Sequence, residues 1–266
     1  MTDSITIASS DVSITLDLAN AGRLSSVKWR DLELTVAHRP GPLSWGWYSM
    51  APWAGRVGQG NLDTPHGIEK LPTNLIPPFA IHGLVIEAQI HSGVVSDREA
   101  MVWCDLPAPY AGGRVEQRVV VGESTMTWSL SYRNGDRPMP AWLGFHPWFR
   151  RTLVRGGEVE IINPATFMMR LDGEGLPDGK IQAVTPPPWD DIFGGMRSAP
   201  TLTWPGALKV TCIANEPWWV IYTQDPVGVC VEPQTSPPDA AALGLAPILA
   251  PGEEIHLDYR LDFQSA

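Results

Sequence analysis

Cysteine is scarce in this chain. Cys104, Cys212 and Cys230 are odd in number, far apart and in no CxxC pair, so neither a disulfide framework nor a structural zinc site is expected. Uninterrupted apolar runs are short, and none approaches the roughly 18 residues that a membrane span requires. The opening Met1-Thr2-Asp3-Ser4 has no positive n-region and no apolar h-region, so no signal peptide is read there. Positive charge is in deficit: 19 Lys and Arg stand against 29 Asp and Glu, a formal net charge of −10. That balance argues against nucleic acid and anionic membrane as partners. A cytoplasmic protein is expected. Sustained helical periodicity is missing too, and nothing reads as an amphipathic helix beyond one or two short turns.

What the chain has in excess is tryptophan. There are twelve, against five Tyr and six Phe, with 26 Pro and 25 Gly. Such a composition fits many short strands joined by turns, with aromatic faces to spare once the core is packed. Residues 4–8 and 12–18 alternate apolar and polar, and Asn20-Ala21-Gly22 then turns the chain. Further strands are expected at 24–29, 32–36, 117–121, 126–132, 159–162, 166–171, 208–213, 218–223, 227–232 and 255–263. Residues 141–145 lead into His146, and 173–179 read as a loop. Segment 40–79, rich in Pro, Gly, Trp and Asn, lacks periodicity and reads as a long connection of the functional kind. No linker or repeat divides the chain. The expected fold is all-β: one large antiparallel β-sandwich domain spanning residues 1–266.

The chemistry centres on Leu143-Gly144-Phe145-His146-Pro147-Trp148-Phe149-Arg150-Arg151. Histidine, with an ordinary pKa of about 6.5, can give and take a proton near neutrality. Pro147 biases His146 away from the α region, so the ring should ride on extended chain. Trp148 offers a flat apolar face beside it, which suits a sugar ring. A histidine among aromatics is also a common core residue, so its company matters.

Four other places carry similar promise. Arg56, behind Gly55 in Pro52-Trp53-Ala54-Gly55-Arg56-Val57, presents fixed donors; a surface ion pair is its ordinary alternative. His82 lies in Ala80-Ile81-His82-Gly83, where the glycine permits close backbone approach. Trp189-Asp190-Asp191-Ile192-Phe193 sets paired acids between aromatics, one of which can face a pocket while the other faces solvent. Glu232 ends the apolar run Val229-Cys230-Val231, and a charge that finishes a buried strand needs a partner or a function.

Together these five places resemble the aldose 1-epimerase (galactose mutarotase-like) family. Gly144-Phe145-His146-Pro147-Trp148-Phe149 is similar to its G-x-H-P-[YW]-F element, and Pro52 to Val57 to its P-x-x-N-R-[IV] element. Ile81-His82-Gly83 is similar to [LI]-H-G, Asp190-Asp191-Ile192-Phe193 to D-[DH]-x-F, and Val231-Glu232-Pro233-Gln234-Thr235 to the late glutamate strand. They occur in the family's order. Gly55 departs from the family asparagine, a lost amide that bears on substrate preference.

The resemblance implies a galactose mutarotase-like supersandwich and a cofactor-free, metal-free isomerase that interconverts the α and β anomers of a free aldose. His146 would be the general acid toward the ring oxygen and Glu232 the base toward the anomeric hydroxyl. Arg56, His82 and Asp190 would bind the sugar, with Trp53 and Trp148 as stacking faces. The partner would be a monosaccharide, and the protein a monomer or homodimer. The alternatives are a hexose-6-phosphate 1-epimerase, with Arg98, Arg114, Arg118, Arg150 and Arg151 as available cations, and a non-catalytic carbohydrate-binding protein. A two-carboxylate glycosidase built on Asp190 and Glu232 would leave His146 without a role.

Overall fold

The computed structural model describes residues 4–73 and 75–266, and only the backbone of Val94 and Val95. Residues 1–3, where the reading of the N-terminus begins, and Asn74, inside the 40–79 connection, lie outside the described residues. Two large sheets dominate. In the first, the spatial order is Ser4–Ala8, Val12–Asp17, Arg23–Trp29, Trp47–Met50, Gly144–Arg150, Gly228–Gln234, Trp218–Tyr222, Asp190–Gly194, Phe167–Leu171 and Pro177–Gln182, with Leu32–Glu33 beside Arg23–Trp29. In the second it is His91–Ser96, Glu99–Asp105, Arg114–Val121, Thr125–Arg133, Glu254–Gln264, Leu208–Ile213, Thr201–Trp204 and Glu160–Ile162. Pairing within both is antiparallel, and helix among the described residues is confined to three 3₁₀ turns. This is the all-β sandwich that the composition implied.

Burial follows the pleat. Arg114–Val121 and Val12–Asp17 bury every second residue, as strands with one face on the core do. Gly144–Arg150 and Gly228–Gln234 are instead buried along nearly their whole length. Their inner face meets the second sheet: the Phe145 ring lies 4.1 Å from Trp128 and 6.1 Å from Tyr259, and Phe149 lies 6.4 Å from Trp204. The Tyr259 hydroxyl donates to the Val231 carbonyl at 3.0 Å. Their outer face is covered by the segments that follow Met50, and there the functional residues collect.

Most expected strands are present within a residue or two. The 40–79 connection is the main correction. It contains Trp47–Met50, a member of the first sheet, and Arg56–Val57, paired with Ala80–Ile81. It also contains the hairpin Asn61–Thr64/Gly67–Lys70. Trp47–Met50 shows no alternation because all four residues are buried, which removes the period-2 signal. Residues 173–179 are not wholly loop, since Pro177–Gln182 is an edge strand, and 32–36 pairs as strand only over Leu32–Glu33. Asp190–Gly194 is a sheet strand.

Phe145 joins the two sheets through its stack, so Phe145→Ala should cost about 3–5 kcal/mol. Chemical denaturation would register this as a lower midpoint with an unchanged m-value. A loss below about 1 kcal/mol would mean that the stack does not hold the sheets together.

Candidate functional site

The site is built by register. Gly144 pairs with Gln234 and Trp148 with Cys230, so the antiparallel count between them sets His146 directly opposite Glu232. On the other side of the 144–150 strand, His146 pairs with Tyr48. Beyond Glu232 come Val220 and then Ile192. Tyr48, His146, Glu232, Val220 and Ile192 therefore form one row across the sheet, and Trp148, Cys230, Tyr222 and Asp190 form the next. His146 Nε2 and Glu232 Oε1 stand 3.3 Å apart, and both residues are buried.

Pro147 and Pro233 flank this row, one on each strand. Proline has no N–H to give a ladder and is rare inside central strands. The paired register is interrupted between Gly144 and Trp148 and resumes in step. Just outside, Leu143 N–H donates to Thr235 Oγ1 and Thr235 N–H to the Leu143 carbonyl, each at 2.9 Å. The strands are clamped beside the opening, and the two functional side chains keep a fixed separation.

A second layer roofs the row. Arg56 pairs with Ile81, Ala51 bridges Gly83, and His82 N–H donates to the Gly55 carbonyl at 3.0 Å. Gly83 has φ of +79°, and a Cβ there would overlap the Ala51 carbonyl; only glycine fits. Gly55, at φ +71°, packs on Pro238, and a Cβ would lie 2.5 Å from its Cγ. The Asp239 N–H donates to the Arg56 carbonyl at 2.9 Å. Trp142 ties the roof to the sheet through Nε1 to the Ala54 carbonyl at 2.8 Å.

Between row and roof lies a cavity of about 270 Å³ lined by Arg56, His82, His146, Trp148, Asp190 and Glu232, together with Tyr222, Asp225 and Gln234. Six of the seven residues singled out by sequence converge there. Trp53 does not: it is fully buried and packs against Tyr110, whereas Trp148 lines the cavity. Asp190 faces the cavity and receives Arg56 Nη2 at 3.5 Å, whereas Asp191, next on the strand, points to the other face.

Burial dominates the electrostatics. It holds the His146 imidazolium well below the ordinary range, and neighbouring His82 and Arg23 add to the effect. It lowers His82 to about 3, with Arg56 and Arg23 contributing. It raises the Glu232 carboxyl well above the usual range, and the nearby Asp190 charge pushes the same way. The pair is therefore driven toward its uncharged form, in which Nε2 and Oε1 share one proton.

Sequence reasoning missed three contributors. Tyr48 stacks on His146 with centroids 4.7 Å apart, yet lies almost a hundred residues away in an unpatterned stretch. Arg23 is 2% exposed, with its guanidinium 4.4 Å from the rings of both Tyr48 and Trp45 and its amino groups on the Trp45 and Pro42 carbonyls. Nothing local marks it. Gln234, two residues after Glu232, shares its face, and that spacing was a usable signal. Its buried amide has no protein partner of good geometry.

No family model matches the sequence, and no curated protein matches it. Solved structures do match. A putative aldose 1-epimerase from Escherichia coli K12 superposes with a TM-score of 0.86 at 18% identity, covering 99% of each chain. A galactose mutarotase-like protein from Clostridium acetobutylicum gives 0.85 at 15%, covering 99% of this chain and 95% of the other. An aldose epimerase homologue from C. elegans gives 0.83 at 13%, covering 99% of each. Over nearly its whole length, the chain has the galactose mutarotase-like sandwich fold shared by these aldose 1-epimerase-like structures.

Proposed function

We propose that this chain is an aldose 1-epimerase, a single domain over residues 1–266 that interconverts the anomers of a free monosaccharide without a cofactor. The observation that carries the reading is the His146–Glu232 pair, 3.3 Å apart in the wall of a sugar-sized cavity, where burial favours one proton held between them. In the ion-pair arrangement of that proton, His146 donates to the ring oxygen while Glu232 removes the anomeric proton. The C1–ring oxygen bond breaks and the aldehyde forms. Both residues are left neutral, the state that burial favours, so the site stabilises the ring-opened stage. Rotation about the C1–C2 bond presents the other face of the aldehyde. Closure then returns one proton to His146 and delivers the other from Glu232.

The remaining residues have supporting parts. His82 is neutral near pH 7 and can donate a hydrogen bond to developing charge without competing as an acid. Arg56 and Asp190 reach hydroxyls farther round the ring, the buried Gln234 amide offers a donor and an acceptor, and Trp148 supplies an apolar face.

Charge distribution favours a free aldose over a hexose 6-phosphate. Of the charged residues in the cavity wall, Arg56 is engaged by Asp190 and Asp225 by the Arg39 guanidinium, so no uncommitted guanidinium among the described lining residues faces the cavity. None of Arg98, Arg114, Arg118, Arg150 or Arg151 lines it. Arg98 and Arg118 pair with Glu123 and Glu99 on the far sheet, and Arg151 pairs with Glu158. A dianion would meet like charge without a guanidinium fork.

Three measurements test the reading. By polarimetry on α-glucose and α-galactose, His146→Asn and Glu232→Gln should each lower kcat by on the order of 10²–10⁴-fold, and the double variant should be little worse than the weaker single one. A Glu232→Gln protein with near wild-type kcat would remove the mechanism, and a wild type no faster than buffer would leave a sugar-binding protein. The pH profile has a definite sign. A second proton adds to His146 only well below an ordinary imidazole, and the last leaves Glu232 only well above an ordinary carboxyl. The acid limb of activity should therefore lie below pH ~6.5; a midpoint at or above that value would contradict the proton assignment. Free aldoses should exceed their 6-phosphates in kcat/KM by roughly tenfold or more, and the reverse preference would point to the phosphate enzyme.

A further inference from the structure

The row next to the proton pair brings a third donor into reach. Cys230 and Glu232 are two apart on the same strand and share a face, and His146 stands opposite Glu232. Their donor atoms, Nε2 or Nδ1, Sγ and a carboxylate oxygen, all lie within 4.8 Å of one another. All three residues are buried, at 8%, 0% and 2% exposure. No role in sugar chemistry has been assigned to Cys230.

We propose that His146, Cys230 and Glu232 form a chelating site for zinc or a similar borderline-soft divalent cation, and that its occupation blocks turnover. Zinc bonds of about 2.0–2.2 Å to nitrogen and oxygen, in tetrahedral geometry, span an edge of about 3.3 Å. The observed Nε2 to Oε1 distance is 3.3 Å, so two ligands already have the correct bite. A bond of about 2.3 Å to sulfur asks for edges of roughly 3.6 Å, which a shift of about an ångström in the Cys230 side chain supplies. A thiolate and a carboxylate neutralise the dication, with imidazole as the uncharged third ligand. That mixed set prefers zinc or cobalt to magnesium or calcium. Only three protein ligands are present and His146 and Glu232 line the cavity, so the fourth position is left to solvent, as in open zinc sites. The cation would be an inhibitor and not a requirement, since it takes the two atoms that carry protons. The inhibition rests on the epimerase reading; the chelation does not.

The test is a titration of the whole protein with cobalt(II), followed by absorption. One equivalent should produce a thiolate-to-cobalt charge-transfer band in the near ultraviolet. Zinc should abolish the band by displacing cobalt, and magnesium should leave it intact. Cys230→Ala, checked for folding by circular dichroism, should lack the band, and calorimetry should give a zinc affinity at least roughly tenfold weaker. In polarimetric assays, zinc should inhibit the wild type and inhibit Cys230→Ala much less. Absence of the band in the wild type would overturn the site whatever the variant does. An unchanged zinc affinity in Cys230→Ala would overturn it too. Should the wild type turn over no aldose, the band alone still decides chelation, and only the reading of function falls.

Discussion

The arrangement depends on one cross-strand pair held in the middle of a sheet. Glu232 is an acid in a strand with no exposed residue, and a buried unpaired carboxylate would cost several kcal/mol. His146 meets that cost from the adjacent strand, and the register between Gly144–Gln234 and Trp148–Cys230 allows no other partner to stand there. Two prolines would ordinarily weaken central strands. Here they open the ladder at the row where proton transfer is wanted, while the Leu143–Thr235 bonds close it again alongside. Local rules are broken at a functional position and compensated next door.

The roof follows from the same constraint. The pair must be dry enough to hold its shared proton, and a sandwich face open to water would let both groups ionise. Gly83 lets the backbone approach Ala51 where any side chain would collide, and Pro238 fills the space over Gly55. These contacts lay Arg56 and His82 over the sheet row. Cavity and proton chemistry are thus consequences of one packing arrangement.

Much of this was legible in the sequence, for reasons that differ by residue. Arg114–Val121 and Glu254–Gln264 alternate because one face is solvated; the second was read to within a residue at each end, and the first from residue 117 onward. Trp47–Met50 was lost in a supposed loop because burial on both faces erases alternation. His146, Glu232, Arg56, His82 and Asp190 stood out because each sits in a local context of proline, glycine or paired acids. Tyr48 and Arg23 did not, because their importance comes from register and stacking across long sequence separations. Trp53 was misread for a related reason: proximity in sequence to Arg56 says nothing about which way a ring points, and this one points into the core. The packing of Gly55 on Pro238 could not be read from the sequence, since the two are far apart along the chain.

Arg23 carries the electrostatic argument one step further. Among the described residues no carboxylate stands at hydrogen-bond distance from its buried guanidinium; its partners are two carbonyls and the faces of Trp45 and Tyr48. Burial lowers its pKa only to about 10, so it remains a cation at neutral pH. Its charge opposes protonation of both His82 and His146. Asp190 acts in the opposite sense on Glu232, disfavouring its charged form. These two charges therefore push the pair toward the same uncharged state that burial prefers. In a polar medium such influences would be weak, but inside a low-dielectric sheet they persist over several ångströms. A site tuned in this way resists ionisation by either acid or base. On the proposed mechanism, that is the condition for an acid–base pair that must end each half-reaction neutral and recover its ion-pair form on ring closure.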